Sequence, residues 1–316
     1  MIYYITSGAR DTLEAPGHFL YILGVLPMKE YKSNEELIKY LISKNVVVKN
    51  EQDAINKIEK YTYYSVVNSY KNNFKDSNNN YLPNVTFDEI FALYEFDKNL
   101  KYIIIKYALE VETVIKSLMA NQISKIYGLK DYLDINNLDD KASLIKKENI
   151  INRINDEIDH NYNVHSAVTH YKDTYGYIPP FVLTKILTFG VASSYYGLLK
   201  QIDRQAIAKY FKISDKLLKQ ILKNLTSIRN IAAHSDRLFC FRDKYTLSFK
   251  TIDKNYIVNG NSTNLYMMLK VLKLILTPKL YTEMINRINK DINKLDKQLN
   301  SVSINDILRI MGYPNV

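Results

Sequence analysis

Cysteine is nearly absent from this chain of 316 residues, with Cys240 alone, which excludes an intramolecular disulfide framework and a thiolate zinc cluster and leads us to expect a reducing, cytoplasmic setting. Tryptophan is absent, and nine Gly and seven Pro are too few for an all-β design that must turn about every eight to twelve residues. Long apolar runs are lacking as well. Phe19 to Met28 and Tyr266 to Leu276 are too short, or too interrupted by Lys, to span a bilayer. Arg10, Asp11 and Glu14 precede the first of these and no small-residue cleavage pattern follows it, which argues against a signal peptide. The expectation is a mostly α, soluble, intracellular protein without membrane association.

Charge and hydrocarbon are plentiful. Hydrophobic residues make up 47% of the chain, enough for a real core, and 43 Lys+Arg against 33 Asp+Glu leave a net charge of +10. Such a balance favours a polyanionic partner. Only eight of the basic residues are Arg, however, and the abundance of Lys, Asn, Ile and Tyr is what an AT-rich genome encodes, so part of the basicity is compositional bias.

Helical periodicity dominates the chain. Residues 1–28 match nothing that follows and are set apart as an extension. Ser33 with Glu36 forms a capping box ahead of Leu37, Tyr40, Leu41 and Ile42, and Asn50 with Asp53 similarly precedes Ala54, Ile55, Ile58 and Tyr61; the β-prone Val46-Val47-Val48 joins these two helices. Residues 29–80 read as a small N-terminal helical domain, closed by the polar stretch Lys71 to Asn80 as linker, and residues 81–316 as a larger α-helical domain. Thr86 and Glu89 cap a long helix with apolar positions Leu93, Leu100, Ile104, Ala108, Val111, Ile115 and Leu118. A charged, helical segment covers Asp131 to His160. Pro179-Pro180 marks the entry of a helix over Phe181 to Leu199, and Asp215 to His234 carries another apolar stripe. Lys250 to Gly260 reads as a hairpin or irregular insert, followed by helices over Ser262 to Leu276, Pro278 to Asn300 and Ser303 to Met311.

The last turns of the Asp215 helix hold the most informative string, Arg229-Asn230-Ile231-Ala232-Ala233-His234. A five-residue step on a straight helix separates side chains by about 140° modulo a turn, but a helix that ends at His234 lets the imidazole swing back towards the guanidinium. Arg offers a permanent planar fork of donors to phosphate oxygens, and His exchanges protons near neutral pH. Together they suit metal-independent attack on RNA, with His234 as general acid/base, Arg229 stabilising the phosphorane and Asn230 positioning the phosphate or the His. The competing reading is a helix C-terminus decorated by cations that meet the macrodipole. A looser pair, Arg153 and His160, lies among Asp156, Glu157 and Asp159, which would repel phosphate.

The string continuing through Ser235-Asp236-Arg237-Leu238-Phe239 resembles the RNxxAHxxRLW signature of the Abi (abortive infection) family of bacterial phage-defence proteins, AbiD/AbiF-like members of the HEPN superfamily, with Phe239 in the usual Trp position. Asn56 to Tyr70 with Tyr63-Tyr64 and Phe74, the block Thr86-Phe87 to Leu100-Lys101, His170-Tyr171 with Pro179-Pro180-Phe181 and Thr188-Phe189-Gly190, and the closing Met311-Gly312-Tyr313-Pro314 are similar to family blocks in the same order. Lys101 replaces the usual Arg, and Lys185 stands where many members carry Glu. The resemblance implies a mainly α, HEPN-like helical bundle, commonly a homodimer with two facing Arg/His sites, metal-independent RNA cleavage, no cofactor, and control by a small non-coding RNA.

Around this candidate site, Glu112 and Arg237 are the expected supporting residues, Glu112 as a carboxylate that could hold Arg229 or His234. Asp97 and Lys101 read as an exposed helix pair. His165 and His170 lack a carboxylate at zinc spacing, so no metal site is expected. Lys57, Lys60, Tyr63, Tyr64 and Lys71, together with His170 and Tyr171, are the candidate RNA-binding residues, with stacking of bases on aromatics beside a cationic track as the rationale. Lys146-Lys147 and Lys290 to Lys297 read as solvated faces. An RNA-acting toxin is the leading expectation, a non-catalytic RNA-binding protein the alternative, and an interaction module with incidental basicity the third reading.

Overall fold

A computed structural model describes residues 30–234, 236–243, 247 and 263–314, and over these the protein is mainly helical. The two N-terminal helices form where their caps predict. At the start of α1 (Asn34–Ser43) Ser33 and Glu36 close a reciprocal capping box, and at α2 (Glu51–Tyr61) the Asn50 side chain accepts from the Asp53 amide at 3.0 Å. The buried stripe of α1 is Ile38 and Leu41, while Tyr40 and Ile42 face outward, one step away from the expected face. Val47 exchanges backbone hydrogen bonds with Val85 and Phe87 at 2.8 and 2.9 Å, so the valine triplet adds a short bridge to the entry of the next helix. The polar stretch read as a linker is folded: Lys71–Phe74 is a 3-10 turn whose Phe74 is fully buried, and the Asp76 carboxylate accepts the amides of Asn78 and Asn80.

Helix α3 (Phe87–Tyr127) is the spine, 41 residues and so about 60 Å long. Its Thr86–Glu89 capping box forms as expected, and every predicted apolar position except the half-buried Leu118 is buried. Around it lie α4 (Leu144–Asn161), α5 (Ser166–Tyr175), α6 (Pro180–Ile186), α7 (Phe189–Leu198), α8 (Gln201–Lys209), α9 (Asp215–Ala233), α10 (Leu265–Leu272), α11 (Pro278–Asp296) and α12 (Ile304–Met311). Helices α6, α8, α9 and α11 pack directly on α3, and α7 packs on α9. One contiguous apolar core runs from Ile38 in α1 to Met311 in α12.

The single helix expected over Phe181 to Leu199 is two. Leu187 is extended and Thr188 caps α7, accepting from the Val191 amide at 3.4 Å; the break exposes the Leu187 carbonyl to the Lys116 ammonium at 2.5 Å, an interaction from across the fold that local spacing does not encode. The helices at the C-terminal end are shorter than expected, because Thr263–Asn264 (β2) pairs antiparallel with Arg242–Asp243 (β1) before α10, and α11 stops at Asp296. The expected insert at Lys250 to Gly260 and the extension 1–28 lie outside the described residues. Ser303 and Asp306 close a capping box on α12, which ends at the left-handed Gly312. A Cβ at Gly312 would fall 2.3 Å from the Asn264 side chain, so both its φ of 95° and its surroundings require glycine.

Candidate functional site

The candidate site is the C-terminal end of α9. Ser214 caps the helix by accepting the Leu217 amide at 3.2 Å, and the predicted stripe Leu217, Leu218, Ile221, Leu222, Leu225, Ile228 and Ala232 is buried throughout. That stripe fixes the rotation of the helix and leaves Arg229 half-buried and Asn230 exposed on its flank. The helix ends at Ala233. His234 is the C-cap, with extended dihedrals (φ −106°, ψ 177°), and its amide donates to the carbonyls of Asn230 and Ile231. Its side chain is exposed and makes no hydrogen bond or ion pair among the described residues. His234 thus closes the helix instead of continuing it. Asn230 accepts from the Arg229 guanidinium at 3.4 Å, so it orients the Arg and not the His.

What holds the chain just beyond His234 is Asp97. Its carboxylate, fully buried, accepts the amides of Leu238 (3.0 Å) and Phe239 (2.6 Å) and the Tyr70 hydroxyl (2.7 Å), with the Lys101 ammonium at 3.9 Å. The expected exposed Asp97–Lys101 pair is thus corrected: Asp97 sits on the buried stripe of α3 between Leu93 and Leu100, and the sheltered donors are what make an ion tolerable there. Burial pushes this carboxyl above its ordinary value, and the Tyr70, Lys101 and amide donors pull it back in part. Arg237, exposed, donates to the Ser69 carbonyl at 2.9 Å, and Phe239 stacks on Tyr70 at 5.9 Å between centroids. The segment after the His is therefore pinned to α3 and to the turn at Ser69-Tyr70. Burial also raises the Cys240 thiol, which disfavours a nucleophilic thiolate beside the site.

Asp97 and the turn it holds both fall within residues 56–240, which match the family model described as Abi-like protein, more than half of the chain. The chain belongs to the Abi-like protein family. No curated protein and no solved structure matches it. Membership points to abortive infection, a form of phage defence.

In this Abi-like protein the other expected residues divide. Glu112 is buried on α3 and pairs with Lys116 at 2.6 Å, not with Arg229 or His234; its second oxygen, Oε2, has no hydrogen-bond partner among the described residues. Glu112 and Lys116 line a cavity of about 440 Å³ with Phe181 and Lys185. Lys57 is drawn to Asp53 (2.6 Å) and Asp88 (3.3 Å) and lies over the Phe91 ring, joining α2 to α3, so its charge is already matched. Lys60 and Tyr64 are exposed, and Tyr63 and Lys71 converge on a polar cleft of about 510 Å³. His170 packs edge-on against Tyr171 and Tyr175, and Tyr171 in turn against Phe181, an aromatic strip remote in sequence from α9. No cluster of metal-ligating side chains occurs, and no helix is long and apolar enough to cross a membrane, among the described residues. The role of Asp97 was detectable in principle, because a carboxylate at i+4 from Leu93 and i−3 from Leu100 must lie on the apolar face.

Proposed function

We propose that this Abi-like protein is an abortive-infection toxin of the AbiD/AbiF-like, HEPN type: a metal-independent endoribonuclease held inactive by a bound small non-coding RNA and working as a homodimer. The observation that carries this reading is the termination of α9 at His234, with Arg229 and its Asn230 partner one turn earlier and the following chain anchored by Asp97. In the proposed reaction the His234 imidazole takes the proton of a ribose 2′-OH, the 2′-oxygen attacks the adjacent phosphorus, and the P–O5′ bond breaks as the imidazolium so formed passes its proton to the departing 5′-oxygen. The products are a 2′,3′-cyclic phosphate and a 5′-hydroxyl. The Arg229 guanidinium neutralises the growing phosphorane charge. His234 is exposed at the surface, where an incoming strand can reach it.

His234→Ala and Arg229→Ala alter side chains that contribute little packing, so both variants should melt within about a degree or two of the parent. They should lose toxicity in cells and lower RNA cleavage by about 10²-fold or more, with cyclic-phosphate ends from the parent persisting in EDTA. A folded His234→Ala protein that still cleaves at the parental rate rules the assignment out. A non-catalytic RNA-binding role is the second reading, favoured by the lack of any hydrogen bond that would set the His234 tautomer among the described residues. It predicts weakened RNA affinity in both variants with no cyclic-phosphate product from the parent.

A further inference from the structure

We propose that the cleft between α4, α7 and α9 binds the phosphodiester backbone of single-stranded RNA and leads that strand along α9 to its His234 end. The proposal rests on the RNA-acting reading above and gives it a substrate path. The cleft has a volume of about 400 Å³, and four cations line it: Lys146 and Arg153 from α4, Lys219 and Lys223 from α9. Asn149 and Ser193 add neutral hydrogen-bonding groups, and no carboxylate is among the lining residues. Asp156, Glu157 and Asp159, the residues that weighed against phosphate near Arg153, lie further along α4 and stay outside the lining. Asp139, a carboxylate that acts on Lys219, is engaged by Arg204 at 2.8 Å.

The cleft is built around Lys219. Its ammonium donates to the Gly197 carbonyl at 2.7 Å, and Gly197 supplies the room, since a Cβ there would sit 3.0 Å from Lys219 Cε. Burial, and then the repulsion of Arg204, hold this ammonium below its ordinary range, with Asp139 opposing the shift and Lys146 and Lys223 of the cleft adding to it; a bound anion would offset the repulsion among the lining cations. Continuity with the candidate site comes from α9 itself. Lys219, Lys223, Thr226 and Asn230 recur at steps of four, three and four and so share one face, with Thr226 the nearest neighbour that a Cβ on Gly190 of α7 would meet. Lys219 to Asn230 spans about 16 Å along the axis. That is a length of a few nucleotides, and it ends beside Arg229.

The test uses the full chain carrying His234→Ala, so that RNA stays intact, and fluorescence anisotropy of a labelled single-stranded RNA of about 12 nucleotides across a salt series. The triple change Lys146→Gln, Arg153→Gln, Lys223→Gln should weaken binding roughly tenfold to a hundredfold at about 0.1 M salt, and lower the slope of log affinity against log salt by about 2, at about 0.7 for each phosphate no longer neutralised. A matched change on α11 and its end, Lys290→Gln, Lys294→Gln, Lys297→Gln, removes the same charge from a separate basic surface and should leave both quantities near the parent. Equal losses in the two triple variants, or no loss in the first, overturn the cleft. Its failure is distinguishable from failure of the catalytic reading. Loss of cleavage in His234→Ala with intact binding in the cleft variant retains the nuclease and removes the path; parental cleavage in His234→Ala with lost binding in the cleft variant does the reverse.

Discussion

Asp97 orders the candidate site more than either residue that would touch RNA. Among the described residues the Arg229 and His234 side chains make no hydrogen bond outside α9, whereas Asp97 fixes the backbone on the far side of His234 through two amides, and through Tyr70 the turn that carries Ser69. Asp97→Asn keeps the shape but replaces one acceptor oxygen by a donor, which then faces other donors in a buried space. The expected cost is about 2–4 kcal/mol, read as a lower urea midpoint at unchanged m-value. Activity should fall although Arg229 and His234 are untouched, while Tyr70→Phe, which removes one hydroxyl, should cost only about 1 kcal/mol. An Asp97→Asn protein as stable and as toxic as the parent would show that the turn is held by packing alone. The sequence pattern singles out Arg229 and His234 as candidates, because the chemistry proposed for them is local to one helix end. It places Asp97 on the apolar face of α3 but does not show its partners, because the amides that the carboxylate accepts lie 141 and 142 positions away.

Helix starts are the elements best predicted by sequence, and their physics explains why. The boxes at Ser33–Glu36, Thr86–Glu89 and Ser303–Asp306 act within three residues, so nothing distant is needed to recognise them. The α6–α7 break and the second role of Glu89 are tertiary. Besides capping α3, Glu89 accepts the amides of Asn300 and Ser301 at 2.6 Å each, across 211 and 212 positions. Burial alone would raise its carboxyl, but the amides of Ser301, Asn300 and Thr86 and the Ser301 hydroxyl outweigh it and hold the group below its ordinary value. A carboxyl with a folded value below its unfolded one contributes stability that is fully present above the unfolded value, about 4.3 for Glu, and is lost as pH falls through the folded value. Thermal unfolding followed from about pH 7 to about pH 3 should therefore show a drop on the acid side of about pH 4.3 that is shallower in Glu89→Gln, with the variant roughly 1–3 kcal/mol less stable at neutral pH. Parallel curves for the two proteins would mean that the loop at Asn300-Ser301 does not depend on the charge.

At the scale of the whole molecule, the helices before residue 80 bear on the site as well as on the core. Ile38, Ile58 and Phe74 belong to the same contiguous apolar cluster as α3 and α9, Tyr70 binds Asp97 and stacks on Phe239, and Ser69 receives Arg237. These interactions make the N-terminal segment one wall of the turn that follows His234. If that wall and the α3–α9 core form one cooperative unit, a defect deep in the wall must be felt at the turn. Phe74→Ala removes a fully buried ring at a cost of about 3–5 kcal/mol. Hydrogen exchange reads the consequence directly, because the Leu238 and Phe239 amides are sheltered by Asp97 while the Ile58 and Leu100 amides report on α2 and α3. In one unit the variant lowers the opening free energy of all four amides by the same amount. Loss confined to Ile58, with Leu238, Phe239 and Leu100 unchanged, would instead establish residues 29–80 as a domain that folds and fails by itself, leaving Asp97 to hold the site without it.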